Sequence, residues 1–398
     1  MEHKTRIKGN VHYVGVNDRN KHRFEGMWPL PYGVSYNSYL IDDEMVALVD
    51  TVDICYFEVY LRKIKQVIGE RPINYLIINH MEPDHSGSIR LIEQHYPGII
   101  IVGNKQTFGM IEGFYGVTGE QYLVKEGDFL ALGHHKLRFY MAPMVHWPET
   151  MMTFDETDGV LFSGDGFGCF GTVDGGFLDT RINVDKYWGE MVRYYSNIVG
   201  KYGSPVQKAL QKLGGLPISA ICSTHGPVWT ENIAKVIGIY DRLSRYDADE
   251  GVVIAYGSMY GNTEQMAEAI AEELSAQGVK NIVMHNVTKS HPSYIIADIF
   301  RYKGLIIGSP TYSNQIFPEV EALLSKILLR EVKGRYLGYF GSFTWAGAAV
   351  KRLAEFAEKS KFELVGDPVE MKQAMKDLTY TQCENLARAM ADRLKKDR

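Results

Sequence analysis

From Gly251 onward the chain alternates between short apolar runs and amphipathic stretches, and that rhythm restricts the fold more than any other feature. Val252–Tyr256, Asn281–Asn286, Gly304–Gly308, Tyr336–Gly341 and Phe362–Val365 read as strands. Glu264–Gln277, Tyr294–Arg301, Glu319–Leu329, Gly347–Ser360 and Gln382–Lys395 read as helices. A strand that returns to its neighbour through a helix must run parallel to it, so five such repeats predict a doubly wound parallel five-stranded sheet. A charged run, Ser244–Glu250, precedes the first of these strands and marks a boundary between residues 1–247 and 248–398. A chain of 398 residues is comfortable as two such domains, each able to bury a core. The first domain is less regular. Tyr39–Asp50 and Lys136–Ala142 read as strands, and Phe57–Gly69, Ser86–Gln94 and Gln106–Gly113 as helices, which supports an α/β or α+β layered fold.

The net charge of −5 argues against nucleic acid or an anionic membrane as a partner. No apolar run is long enough to span a bilayer, and the polar N-terminus, Met1–Asn10, is unlike a secretory signal, so a cytoplasmic address is expected. Cys55, Cys169, Cys222 and Cys383 are far apart and form no C-x-x-C, which excludes a local zinc knuckle or iron–sulfur cluster and predicts reduced thiols.

The densest chemical motif is His80-Met81-Glu82-Pro83-Asp84-His85, on the loop between the apolar strand Tyr75–Ile78 and a helix starting near Ser86. An extended segment sends His80, Glu82 and Asp84 to one side. Three more donors stand in Gly- or Pro-containing turns: His146, Asp165 and His225. Together they make four imidazoles and three carboxylates, which two metals sharing one bridging carboxylate would use fully. The bland alternative is that Glu82 and Asp84 cap a helix and the single residues are solvated. Histidines 3, 12, 22, 95, 134, 135, 285 and 291 are read in that bland way, as caps or solvated side chains.

In the second domain, Ser258-Met259-Tyr260-Gly261-Asn262-Thr263 follows a strand and opens a helix. Small and hydroxylic residues there let backbone N–H and side-chain O–H groups surround a phosphate. The loop is neither G-x-G-x-x-G nor G-K-[ST], so a dinucleotide or a nucleoside triphosphate is disfavoured. Ser309-Pro310-Thr311-Tyr312-Ser313-Asn314 and Ser342-Phe343-Thr344-Trp345-Ala346-Gly347 follow later strands of the same sheet, where open α/β sheets bind ligands. Tyr312 and Trp345 can stack on a planar ring, or simply pack at the rim.

The spacing of the first motif resembles the metallo-β-lactamase fold, an αβ/βα sandwich with H-x-H-x-D-H and distant His, Asp and His. Glu82 in place of the second His gives H-x-E-x-D-H, the version found in flavodiiron proteins, also called A-type flavoproteins. The second domain is similar to flavodoxin, as in that family, so the resemblance covers essentially the whole chain. It implies a diiron centre with one iron on His80, Glu82 and His146, the other on Asp84, His85 and His225, and Asp165 bridging. In some relatives water displaces the counterpart of His85. It implies FMN, with its phosphate on Ser258–Thr263 and its isoalloxazine between the Thr311–Asn314 and Ser342–Gly347 loops. It implies an oxidoreductase that reduces O2 to water, NO to N2O, or both. A head-to-tail homodimer, alone or within a tetramer, would set one subunit's FMN, with Trp345, beside its partner's irons. Tyr195 resembles a residue standing just outside the ligands in that family, and a helix-core role accounts for it equally. The sequence carries neither a rubredoxin nor a flavin-reductase extension, so an external donor is expected: a rubredoxin with its reductase, or reduced deazaflavin. Two alternatives stay open, a zinc hydrolase of the lactamase superfamily fused to a flavodoxin, and a pure electron carrier with a degenerate metal site.

Overall fold

The computed structural model describes residues 4–116 and 119–397. His3 lies outside the described residues. The chain divides into two compact units, Met1–Ser244 and Arg245–Arg398.

The first unit is built on two sheets. One runs in the order Arg6–Lys8, Val11–Tyr13, Tyr39–Ile41, Ala47–Val49, Tyr75–Ile77, Ile100–Gly103, Gln121–Leu123. The other runs Phe129–Ala131, Lys136–Met141, Met151–Asp155, Val160–Gly164, Ala220–Ser223. Alternation along each strand creates two cores. Tyr39, Ile41, Val49 and Ile77 meet Leu137, Phe139, Met151 and Phe162 between the sheets. Leu40, Leu48 and Leu76 point the other way, against Tyr60 and Ile64 of the helix Phe57–Ile68 and Ile92 of the helix Ile89–His95. Gly203–Leu213 and Ile233–Ser244 pack against each other as further helices. This is the expected layered sandwich, with one correction. Tyr39–Asp50 is not one strand: Tyr39–Ile41 pairs antiparallel with Ala47–Val49. The acidic Asp42-Asp43-Glu44 turns the chain, and Asp43 accepts the backbone N–H groups of Glu44, His134 and His135.

The second unit has parallel strands in the order Ile282–Asn286, Asp249–Tyr256, Tyr302–Tyr312, Tyr336–Phe343, Glu363–Leu364. The order reverses at Asp249–Tyr256, which puts a ligand crevice at the carboxyl ends of that strand and of Tyr302–Tyr312. The helices are Asn262–Ala276, Pro292–Arg301, Pro318–Leu329, Ala349–Ser360 and Asp377–Lys395. The predicted strand Phe362–Val365 shrinks to two residues, and Val369–Lys372 supplies the rest of that edge by pairing with Phe340–Phe343. Its outward residues Glu370 and Lys372 hid it in the sequence, while Val369 and Met371 are buried.

Among the described residues, no helix is long and apolar enough to cross a membrane.

Candidate metal centre and flavin crevice

The loop after Tyr75–Ile77 is fixed from beneath. The buried carboxylate of Asp50 accepts the backbone N–H of Asn79 at 2.8 Å, the Asn79 amide at 3.1 Å and the His80 N–H at 3.4 Å. Pro83 then starts the short helix Pro83–Ser86, which turns His85 inward. Asp165 follows the strand Val160–Gly164, and His225 follows Ala220–Ser223, its parallel neighbour. Adjacent parallel strands thus deliver two distant residues to one point. Gly226, at φ +83°, is obligatory here because a Cβ would overlap the sulfur of Cys169.

All seven predicted donors converge. His146 Nε2 lies 3.2 Å from Glu82 Oε2 and 3.0 Å from Asp165 Oδ2, and His80 Nε2 lies 3.6 Å from that same oxygen. On the other side, His225 Nε2 lies 3.3 Å from Asp84 Oδ2 and 3.6 Å from Asp165 Oδ1. His85 Nε2 is 3.5 Å from Asp84 Oδ1 and 3.2 Å from Asp165 Oδ1. Asp165 therefore turns one oxygen to each group, and Thr224 donates a hydrogen bond to Oδ1. His85 stands close to both groups.

The donors fit metal ions rather than a satisfied polar core. Both Asp84 oxygens, His85 Nε2 and His225 Nε2 are buried and make no hydrogen bond among the described residues, although they face one another at contact distance. Such orphaned groups are costly unless a cation is shared between them. Burial opposes charge on the imidazoles, but the carboxylates outweigh it. Asp165 holds His80 up at about 10, Asp165 and Glu82 hold His146 up at about 10, and Asp84 holds His85 up at about 9. Burial likewise opposes charge on Asp165, and His85 and His80 overcome it, keeping the carboxyl well below the usual range. Imidazole with carboxylate suits iron as well as zinc, and the third carboxylate, Glu82, adds the hard character that favours iron.

A cavity of about 820 Å³ opens beside Glu82 and Asp84, walled by Phe24, Leu91, Phe114 and Tyr115. Lys21 also lines it and bonds Tyr36 Oη at 2.9 Å. The expectation for Tyr195 is corrected. Its ring packs edge-on against Tyr240, whereas the preceding Tyr194 faces His225 at 5.8 Å between ring centres. Neighbours on a helix point about 100° apart, so the two rings face different sides. Asp50 and Glu149, which bonds His80 Nδ1 at 2.7 Å, were missed by sequence reasoning. Three of the histidines read as caps or solvated are neither: His12 is buried, His135 is buried with Nδ1 2.9 Å from Asp155 Oδ2, and His285 is mostly buried with Nε2 2.8 Å from Asp298 Oδ2. His291 does cap a helix, accepting the Ser293 N–H.

In the second unit, Gly261 sits at φ +88° and begins the helix Asn262–Ala276 without a side-chain cap, so the first-turn N–H groups face outward for an anion. Ser258 Oγ accepts the Gly261 N–H at 3.1 Å, which closes the loop. Thr263 Oγ1 meets Ser342 Oγ at 2.8 Å, and Thr311 Oγ1 accepts the N–H groups of Ala348 and Ala349, so the three loops brace one another. A pocket of about 340 Å³ lies between them, lined by Met259, Tyr260, Thr311, Tyr312, Asn314 and Trp345, together with Ser313, Thr344 and Ala346. Tyr260 and Trp345 are 88% and 82% exposed, which leaves their faces free for a planar ring. Phosphate cradle and aromatic pocket together fit FMN. Ser309 differs from expectation: it is buried, and its hydroxyl bonds Pro310 O and Phe317 N, holding the hairpin rather than facing the pocket. Pro310 is buried with it. Phe343 is half-buried, and Gly347 lies against its ring.

Residues 34–226 match the family described as ODP family beta lactamase, and residues 254–385 match flavodoxin. The chain is 33% identical over 363 residues to an anaerobic nitric oxide reductase flavorubredoxin of Vibrio vulnificus, covering 90% of this chain and 73% of the relative. It superposes on the rubredoxin oxygen:oxidoreductase of the anaerobe Desulfovibrio gigas with a TM-score of 0.94 and 31% identity, covering 98% of each chain. A flavodiiron protein from Giardia intestinalis superposes with a TM-score of 0.91 and 26% identity, covering 98% of this chain and 97% of that one. The chain therefore belongs to the flavodiiron proteins, which join a lactamase-like diiron module to a flavodoxin-like FMN module.

Proposed function

We propose that this chain reduces O2 to water, NO to N2O and water, or both, with residues 1–247 holding two irons and residues 248–398 holding FMN. The observation that carries the reading is the split of Asp165, Oδ2 toward His80 and His146 and Oδ1 toward His85 and His225. In this reading His80, Glu82 and His146 would hold one iron, Asp84, His85 and His225 the other, and Asp165 would be shared between them. When bound, the diiron pair and the flavin supply a binding place for a diatomic gas and the electrons to reduce it.

The chain's own residues supply the surroundings. Glu82 and Asp84 keep the charge of the site low and leave one side open to the cavity. Phe24, Leu91 and Phe114 give the cavity an apolar stretch of wall beside the polar side chains of Glu25, Asp53, Arg90 and Gln94, and a neutral gas can lie against that stretch. Lys21, which donates to Tyr36 Oη, places a hydrogen-bond donor on that wall. Tyr312 and Trp345, which line the pocket, would hold the flavin ring, and the Ser258–Thr263 loop would hold its phosphate.

The head-to-tail homodimer, alone or paired into a tetramer, belongs to the same proposal. The exposure of Tyr260 and Trp345 and the open cavity beside Glu82 and Asp84 support it. An external donor of the rubredoxin type or reduced deazaflavin, and a cytoplasmic location, which suits the free cysteines, complete the proposal.

Metal and flavin analysis of protein produced anaerobically tests the reading against the zinc hydrolase. Two irons and one FMN per chain are expected. Two zincs at full occupancy, together with ester or thioester hydrolysis, would defeat it.

A further inference from the structure

The imidazoles of the cluster are not held alike. His80 Nδ1 lies 2.7 Å from Glu149 Oε1, and the same oxygen accepts the Met81 N–H at 2.9 Å. Both side chains are fully buried. Glu149 is itself anchored: its carbonyl accepts the Asn104 amide at 2.5 Å, and Asn104 caps the helix Lys105–Tyr115. His225 Nδ1 instead donates to the Ser35 carbonyl at 2.8 Å, a neutral acceptor. His85 Nδ1 has no hydrogen-bond partner among the described residues.

We propose that Glu149 is a positioning residue that aims His80 Nε2 at the cluster and makes the metal position containing His80 the tighter of the two. The inference rests on the ligand assignment proposed above. A carboxylate that accepts Nδ1–H fixes the tautomer, leaves the lone pair on Nε2 and strengthens the imidazole as a donor. The carbonyl behind His225 fixes the tautomer but brings no charge. Among the described residues no hydrogen bond fixes the tautomer of His85. Glu149 also follows His146 by three residues, so one side chain ties the loop bearing His146 to the loop bearing His80 and Glu82. The position of His80, Glu82 and His146 therefore fills first, and that of Asp84, His85 and His225 second.

The test titrates metal-free, FMN-containing protein with Co²⁺, reading heat and the cobalt absorption bands. Wild type, Glu149→Gln, Glu149→Leu and His80→Ala are compared. Wild type is expected to show a tight and a weaker step. Loss of such an outer partner costs about 10–100-fold in affinity, so Glu149→Gln, which keeps an acceptor without the charge, should weaken the tight step about 10-fold and Glu149→Leu about 100-fold. The tight step's absorption band should shift in both, with the weaker step and the FMN content unchanged. Should Glu149→Leu not fold, the near-isosteric Glu149→Gln decides alone. Wild-type constants and bands in Glu149→Gln would overturn the proposal, and so would equal weakening of both steps. If His80→Ala loses one step while the Glu149 variants match wild type, the ligand assignment stands and only the role of Glu149 falls. If His80→Ala keeps both steps, the assignment falls and takes the inference with it.

Discussion

Replacing Gly226 by Ala tests how the fold delivers His225 to the cluster. Gly226 lies at φ +83°, where an L side chain costs about 1–2 kcal/mol. The new methyl would also overlap the sulfur of Cys169, with the Cys169 carbonyl oxygen 3.3 Å away on the same side. Overpacking of that kind costs about 1–3 kcal/mol. The two effects sum to a loss of about 2–5 kcal/mol in the first unit. Denaturation followed by tryptophan fluorescence reads that unit, because Trp28, Trp147, Trp188 and Trp229 lie in it and only Trp345 lies in the other. Cys169→Ala separates the terms. It removes the overlapped atom but leaves φ unchanged, so the double variant should recover about 1–3 kcal/mol and retain the backbone cost. Iron content should fall with Gly226→Ala, since the strain sits one residue from His225. An unchanged unfolding midpoint with full iron would refute the reasoning, and no recovery in the double variant would refute the overlap.

Other outcomes follow from the same geometry. Asp165→Ala should lose paired iron while retaining FMN; two irons still antiferromagnetically coupled would show that Asp165 is not the bridge. His146→Ala combined with His225→Ala should abolish consumption of both gases, and turnover in that variant would revive the electron-carrier reading. Trp345→Ala should weaken FMN binding roughly 2–10-fold, as loss of a stacked ring does, and fluorescence titration of the flavin-free protein measures it. In metal-free protein, His80 and His146 at about 10 and His85 at about 9 stand above the ordinary 6.5, so their stabilising contribution is full below 6.5 and is lost as pH rises through 9 to 10. Asp165 is depressed, so its contribution is present above the usual carboxylate range and lost as pH falls. Metal must displace the histidine protons, so uptake near neutral pH should release protons and tighten as pH rises, which calorimetry in buffers of different ionisation heat would show.

The second unit was legible almost element by element because each buried strand is bounded by turn residues and followed by a helix. Its edge was not: Val369-Glu370-Met371-Lys372 shows only two apolar positions, too few for periodicity to register. The seven donors were legible because four fall within six residues and the others sit at strand ends. Glu149 and Asp50 were not, since a buried carboxylate bonded to a ligand or its backbone looks in sequence like any surface acid. Tyr194 and Tyr195 differ only in helical phase, which irregular backbone at Tyr195–Val199 makes harder to read.

The most direct measurement gives reduced protein, supplied by a reduced rubredoxin and its reductase, O2 and then NO in a closed anaerobic cell, with products identified. The account predicts consumption of at least one gas, O2 yielding water rather than peroxide or NO yielding N2O, and its loss when iron or FMN is removed. If neither gas is consumed by protein that carries two irons and a demonstrably reduced FMN, the central claim is wrong.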